Sequence, residues 1–379
     1  MRIADFTAQY GNVHTRQAYA SSIVSFLVFI FGLQKEKKVV ASKLGKYEDL
    51  ADRYFSGKRD HSNDLIRYAA SFENKPAKTA KCYVSAVQEF MVFNNIEFRE
   101  KEKRSLRNKI PRGGTATVEQ DLDAAAIQVI LQHCDLKLRT LIVVMASSGV
   151  RIGEALGLVL GDFIERDGLG YIEIRQNNAK RGLRRYTFCS AEACQAVTEW
   201  MKKRDGYLVS AERKGVGIGV VKSRENPHLF PFTDTTVYSG WENALKSAGL
   251  YARDPLTGRL TRPMHALRKF CSSQLSIAVP RDIVEMLMGH SGYLSDAYRR
   301  YTKAQVLEFY RKGEPYVTIA MPEGLRDFQS KYDEKITAHS EMMETIVRKN
   351  MQLETRVNDL ENLIKNIERF GEMIKENAV

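Results

Sequence analysis

Apolar residues recur three and four positions apart along most of the chain, the period of helices that bury one face. In AYASSIVSFLVFIFGL this spacing puts Tyr19, Ile23, Phe26, Leu27 and Ile30 on one side. A second helix is expected to open near Lys75-Pro76, with Pro in the first turn, and to bury Tyr83, Val87, Phe90 and Met91. Residues 1 to 110 therefore read as all-helical. The same period returns in VEQDLDAAAIQVILQHCD, in LKLRTLIVVMASSG, over 190–205 around Trp200, and in FTDTTVYSGWENALKSAGL, whose Thr and Asp suit an N-cap. A helix is also expected from Pro280 to a stop at Gly289. Alternation is confined to GYIEIRQNNAKRGLRRYTFCS, which predicts strands Tyr171–Arg175 and Arg184–Phe188 around the turn NNAKRG. The Gly- and charge-rich run GYLVSAERKGVGIGVVKSRENPHLF reads as an irregular insert. The fold class is mostly α with a small β-sheet (α+β).

Past Pro322 the period changes to heptads. Ile336, Met343, Asn350, Val357, Ile364 and Gly371 fall at a, and His339, Ile346, Leu353, Leu360, Ile367 and Ile374 at d. This predicts a coiled coil, with Asn350 favouring a two-stranded register. Lys349 at g faces Glu354 at e, and Arg356 faces Glu361, which is attractive in a parallel pair. Between the helical start and the next periodic segment lies KEKRSLRNKIPRGGTAT, charged and then rich in Pro and Gly, a boundary that buries little. The expected organisation is a helical domain over 1–110, a linker over 111–117, a larger domain over 118–321 and a coiled-coil tail over 322–379.

Composition narrows the partner. The formal net charge is +12, and residues 1–117 carry 21 Lys and Arg against 12 Asp and Glu. A basic excess of this size points to a polyanion. Lys75, Lys78 and Lys81 form a rim at the start of one helix, and Arg107, Lys109 and Arg112 sit in or beside the linker, placed to follow a phosphate backbone. Any one of them is also an ordinary solvated side chain. The five cysteines have neither zinc-ligand nor redox spacing and read as reduced thiols. The start MRIADF lacks a signal-peptide pattern, and the most apolar run, Ile23 to Leu33, is too short to span a bilayer. A cytoplasmic, nucleoid-associated protein with no membrane contact is expected.

The chemistry concentrates in RPMHALRKFCSSQLSIAVPRDIVEMLMGHSGYLSDAYRRY, residues 262 to 301. His265 and Arg268 are three apart, one side of a helix. With His290 they can converge on a phosphate, which suits a planar two-pronged guanidinium and a tunable imidazole. Tyr298 and Tyr301 lie just beyond. Upstream, SSGVRIGEALGLVLGDF puts Arg151 after a Gly149 break at a helix start, with Glu154 one turn on.

These pieces together resemble the tyrosine recombinases, the integrase family of phages, plasmids and archaeal elements. Ser148-Gly149-Val150-Arg151, Glu154 and Leu156 match its first box. His265-Ala-Leu-Arg268, then Met288-Gly289-His290 and a following tyrosine, match its second. The resemblance spans roughly 118 to 320 and says nothing of the tail. It implies a helical core-binding domain beside a catalytic domain that clamp double-stranded DNA. It implies cleavage through a 3′-phosphotyrosyl intermediate, without metal, ATP or other cofactor, by a tetramer on two duplexes. Arg151 and Arg268 would hold the non-bridging oxygens, His265 serve as base, Lys180 on the hairpin as acid, and His290 hydrogen-bond the phosphate. Glu154 would support Arg151 or a histidine. Ser295-Asp296-Ala297-Tyr298-Arg299-Arg300 favours Tyr298 as nucleophile, with Tyr301 the alternative. KAQVLEFYRKGEPYVTI is expected to pack on a neighbouring protomer. Two alternatives share the fold: a catalytically idle DNA-binding protein, and a type IB topoisomerase.

Overall fold

Side-chain caps set the first helices. α1 (Ile3–Ala8) precedes α2 (Val13–Ile30), which Asn12 opens by accepting from the N–H groups of His14 and Thr15. Such a cap contributes about 1 kcal/mol. α3 (Gly45–Ser56), α4 (His61–Ala70), α5 (Ala77–Phe93) and α6 (Glu100–Lys109) follow. Their apolar faces meet in an aromatic core in which the Phe26 ring stands edge-on to Tyr54 and Tyr68, each 5.2 Å away. Ile23, Leu27, Leu65, Val87, Phe90 and Met91 are buried around it. The charged run from Lys101 differs from its reading as open boundary. It is helical through Lys109 and buries Leu106 in the same core, so extended backbone begins at Ile110.

This computed structural model describes residues 2–34, 45–179, 182–213, 223, 225–290, 301–319, 342, 345–358 and 360. The chain packs as two units, Met1–Leu122 with Tyr238–Ala266, and Asp123–Val237 with Leu267–Val379. Within the first, the Gln120 N–H donates to Thr261 O at 2.9 Å and the Val118 N–H to Asp254 Oδ2 at 3.1 Å. The Trp241 indole N–H donates to Arg262 O at 3.0 Å.

In the second unit, Asp123 caps α7 (Ala124–Gln132), which starts later than the apolar pattern suggests, and Asp135 caps α8 (Leu136–Ser148). α9 (Ile152–Leu156) leads to strands β1 (Phe163–Arg166), β2 (Leu169–Ile174) and β3 (Arg185–Cys189), an antiparallel sheet in that order. The sequence pattern gave no sign of β1, whose side chains are mostly exposed. Its turn is a two-residue Asp167-Gly168 hairpin with φ of 52° and 78°, the left-handed pair that such turns require. α10 runs Ala191–Arg213, so the first part of the supposed insert is helix. α11 (Asp234–Ser247) belongs from Tyr238 onward to the first unit, and α12 (Ala266–Leu275), α13 (Arg281–Met288) and α14 (Lys303–Val317) complete the order.

α14 does not wait for a neighbour. Its Val306, Tyr310 and Val317 are buried with Phe188, Leu275, Val279 and Met288 of its own unit. Its Glu314 accepts from the Ala191 N–H at 2.7 Å, satisfying a free donor at the start of α10. In the tail, residues 345–358 are helical. Ile346, Leu353, Val357 and Leu360 are exposed there; the rest of the heptad run lies outside the described residues. No helix among the described residues is long and apolar enough to cross a membrane.

Candidate active site

The site is built where α8 stops. Gly149 takes a left-handed conformation, φ 65°, and reverses the chain after Ser148. A Cβ there would lie 2.2 Å from Met288 Cε and 3.3 Å from Cys271 Sγ, so glycine is needed for space as well as for backbone. The reversal delivers Arg151 as the cap of α9. Its backbone N–H donates to Glu154 Oε2 at 2.9 Å and its Nη1 to Glu154 Oε1 at 2.8 Å. Glu154 is buried and shared: Arg185 of β3 donates Nη2 to its Oε2 at 2.6 Å, and Nη1 to Leu287 O at 2.5 Å.

Arg268 lies on α12 with its side chain almost wholly buried. Nη1 donates to Gly149 O, and Nη2 to Met288 O and to His290 Nε2, the last at 3.0 Å. A guanidinium only donates, so His290 Nε2 accepts. The neutral ring then carries its proton on Nδ1, which donates to Glu285 Oε2 at 2.8 Å. The turn that places this imidazole is a Schellman motif. Gly289, at φ 66°, lets the His290 N–H reach Glu285 O at 3.0 Å and the Gly289 N–H reach Met286 O at 2.9 Å.

The electrostatics favour an anion. Burial alone would raise the Glu154 carboxyl, but Arg185 and then Arg151 outweigh it and hold it below the ordinary range. Burial pulls the Arg185 guanidinium down, partly offset by Glu154. Burial, then the charges of Arg151 and Arg185, bring Arg268 down to about 10. Three guanidiniums stand against two carboxylates, Glu154 and the Glu285 that faces His290, so the cluster holds an excess of positive charge. Arg151 and His290 are the partly exposed members, with side chains 26% and 45% accessible, so a ligand can reach the cluster through them.

The other candidates fall as follows. His265 is exposed and stands one residue ahead of α12 rather than within it, three positions before Arg268. Lys180 and Tyr298 lie outside the described residues. Tyr301 is 43% exposed, with its ring edge-on to Phe309 at 5.6 Å. Tyr310 is close by in sequence, but it is buried and its hydroxyl is committed to Ser147 O at 2.9 Å. Lys75, Lys78, Lys81, Arg107, Lys109 and Arg112 are all exposed on the first unit. Among the described residues no group of three His, Cys, Asp or Glu side chains is placed to hold a metal. Sequence reasoning missed Arg185 and Glu285. Arg185 sat in an arginine pair beside a turn, where solvated side chains are common. Glu285 had a signal, the glycine stop of α13, which folds position 290 back onto position 285.

Residues 118–307 match the family model described as the phage integrase family. No curated protein sequence matches the chain. Among solved structures, the chain is similar to XerH site-specific recombinase bound to difH substrate, at 19% identity over 76% of this chain and 94% of that one, TM-score 0.44. It is similar to a lambda integrase dimer bound to a COC' core site, at 15% identity over 74% and 79%, TM-score 0.44. It is also similar to the Tn1549 transposon integrase in complex with circular intermediate DNA, at 17% identity over 76% and 98%, TM-score 0.43. With half of its length matched by the family model, the chain belongs to the phage integrase family, the tyrosine-type site-specific recombinases.

Proposed function

We propose that the protein cuts and rejoins double-stranded DNA at a specific site through a 3′-phosphotyrosyl intermediate. The observation that carries this reading is the convergence of Arg151, Arg268 and His290 on one positively charged site in a chain of this family. A phosphodiester carries one negative charge and gains a second as the nucleophile adds. Fixed cations aimed at that oxygen lower the barrier most. Tyr298 Oη attacks phosphorus, an O–P bond forms and the P–O5′ bond breaks. The phenol proton passes to His265, and Lys180 protonates the leaving 5′-oxygen. To hydrogen-bond the phosphate, His290 has to exchange its bond from Arg268 for one to a phosphate oxygen and carry a proton on Nε2, and Glu154 holds Arg151. The ester bond energy is retained in the intermediate, so rejoining by the 5′-hydroxyl needs neither ATP nor, in this scheme, a metal.

Lys75, Lys78, Lys81, Arg107, Lys109 and Arg112 would contact the DNA backbone. Protomers would pair through a parallel coiled coil of the tail and act as a tetramer on two duplexes. The heptads and the exposed Ile346, Leu353 and Val357 support the pairing.

The test uses a library of nicked duplexes of random sequence, from which covalent protein–DNA adducts are isolated under denaturing conditions and their ends sequenced. The expected result is one enriched sequence with protein on a 3′-phosphate. Tyr298→Phe abolishes the adduct, Tyr301→Phe keeps it, and Arg268→Ala slows its formation by about 100-fold or more. An adduct that survives Tyr298→Phe but not Tyr301→Phe moves the nucleophile. A chain that never forms one overturns the reading.

A further inference from the structure

Arg185 is a buried cation for which the scheme above has no use. Its side chain is 12% accessible, its Nη1 and Nη2 are committed to Leu287 O and Glu154, and its Nε has no hydrogen-bond partner. As a structural link alone it would be poorly chosen, because replacing a buried ion pair by packed apolar side chains is often neutral or stabilising. Its position is nonetheless over-determined. Nη1 is anchored on Leu287 O, and the stem runs against Gly289, where a Cβ would come within 2.5 Å of Cδ and Nε. The remaining prong is aimed at Glu154 Oε2, the oxygen that also accepts from the Arg151 backbone N–H.

Charge counting gives this arrangement a purpose. Glu154 is needed to fix Arg151, yet a buried carboxylate paired with Arg151 alone would cancel the charge that Arg151 brings to the phosphate. A second guanidinium on the same carboxylate restores it. We propose that Arg185 is a positioning residue for strand cleavage. It acts through Glu154, taking up half of that carboxylate so that Arg151 is held in place without being neutralised. The inference rests on the phosphotyrosyl reading.

The experiment is a double-mutant cycle on the full-length chain with the nicked duplex selected above. The rate of adduct formation at saturating DNA and the affinity for the same duplex are both measured, and circular dichroism checks each fold. Arg185→Met is expected to slow adduct formation by about 10–100-fold, the range for residues that orient a reacting group from behind. Duplex affinity is expected to change by less than about twofold, because no phosphate contact is lost. In the Glu154→Gln background the same substitution changes the rate by less than about threefold, since the carboxylate it answers to is gone. Arg185→Lys, which keeps the charge, recovers part of the rate. Equal loss in both backgrounds marks Arg185 as merely structural and overturns the proposal, as does full speed in Arg185→Met. If Arg185→Met does not fold, the comparison of Glu154→Gln with the double variant decides, and a tenfold difference there is fatal. Absence of any adduct from the unaltered chain instead strikes the parent reading.

Discussion

Glu154 couples the charge of the site to its stability. Its carboxyl titrates below its ordinary 4.5 because Arg185 and Arg151 outweigh burial. As pH falls the unfolded chain takes up this proton first. The stabilisation is therefore complete above about pH 4.5 and is lost as pH drops through the lower folded value. Melting temperature measured against pH should fall on this acid limb, and Glu154→Gln should both lower the plateau at pH 7 and flatten the limb. Gly149 makes a second prediction at this scale. Gly149→Ala forces an L side chain into φ 65° and drives a methyl against Met288, costing about 2–4 kcal/mol of unfolding free energy in denaturant titration. Arg151, Glu154, Arg268 and His290 were readable because they sit at short, fixed intervals from a turn glycine or from each other. Arg185 was not, because its partners lie 31 and 102 positions away and only the folded sheet brings them near.

Helices with strong periodicity were legible almost to their ends, since burial and caps act locally. Pro280 and Gly289 bound α13 as expected. Short elements with exposed side chains were not: β1 has no apolar alternation, and its Asp-Gly turn was the only cue. The destination of α14 was also misjudged, because an amphipathic helix does not say whether its apolar face meets its own chain or another. Two predictions belong here. Phe26→Ala empties the aromatic centre of the first unit and should cost about 3–5 kcal/mol. Leu353→Glu puts a charge at a d position of the tail. Sedimentation of the full-length chain should shift from a dimer to a monomer, and an unaltered chain that sediments as a monomer at all concentrations removes the coiled coil.

Across the whole molecule, the net charge of +12 bears on how DNA is held rather than on how it is cut. Each phosphate neutralised contributes about −0.9 to the slope of log affinity against log salt concentration. Replacing Lys75, Lys78 and Lys81 together by Gln should weaken binding to every duplex alike and flatten that slope by about 3 at most, with adduct formation at saturation unchanged. A flattening near zero would place the DNA elsewhere. Domain-scale features such as the basic excess and the heptads are visible in composition, whereas the target sequence depends on side chains meeting base edges and leaves no such trace.

Arg268 is gripped by the carbonyl oxygens of Gly149 and Met288, where α8 and α13 run out. An anchor made of main chain has no codon of its own. Exchanging the side chain at Met288 leaves its oxygen where it was, provided the bend survives, and acid cannot discharge either carbonyl. The recombinase can thus drift widely in sequence around its most deeply seated arginine while the grip on that arginine stays the same. Mutational scanning should find the two bends, at Gly149 and Gly289, far less tolerant than the residues that supply the oxygen at Met288.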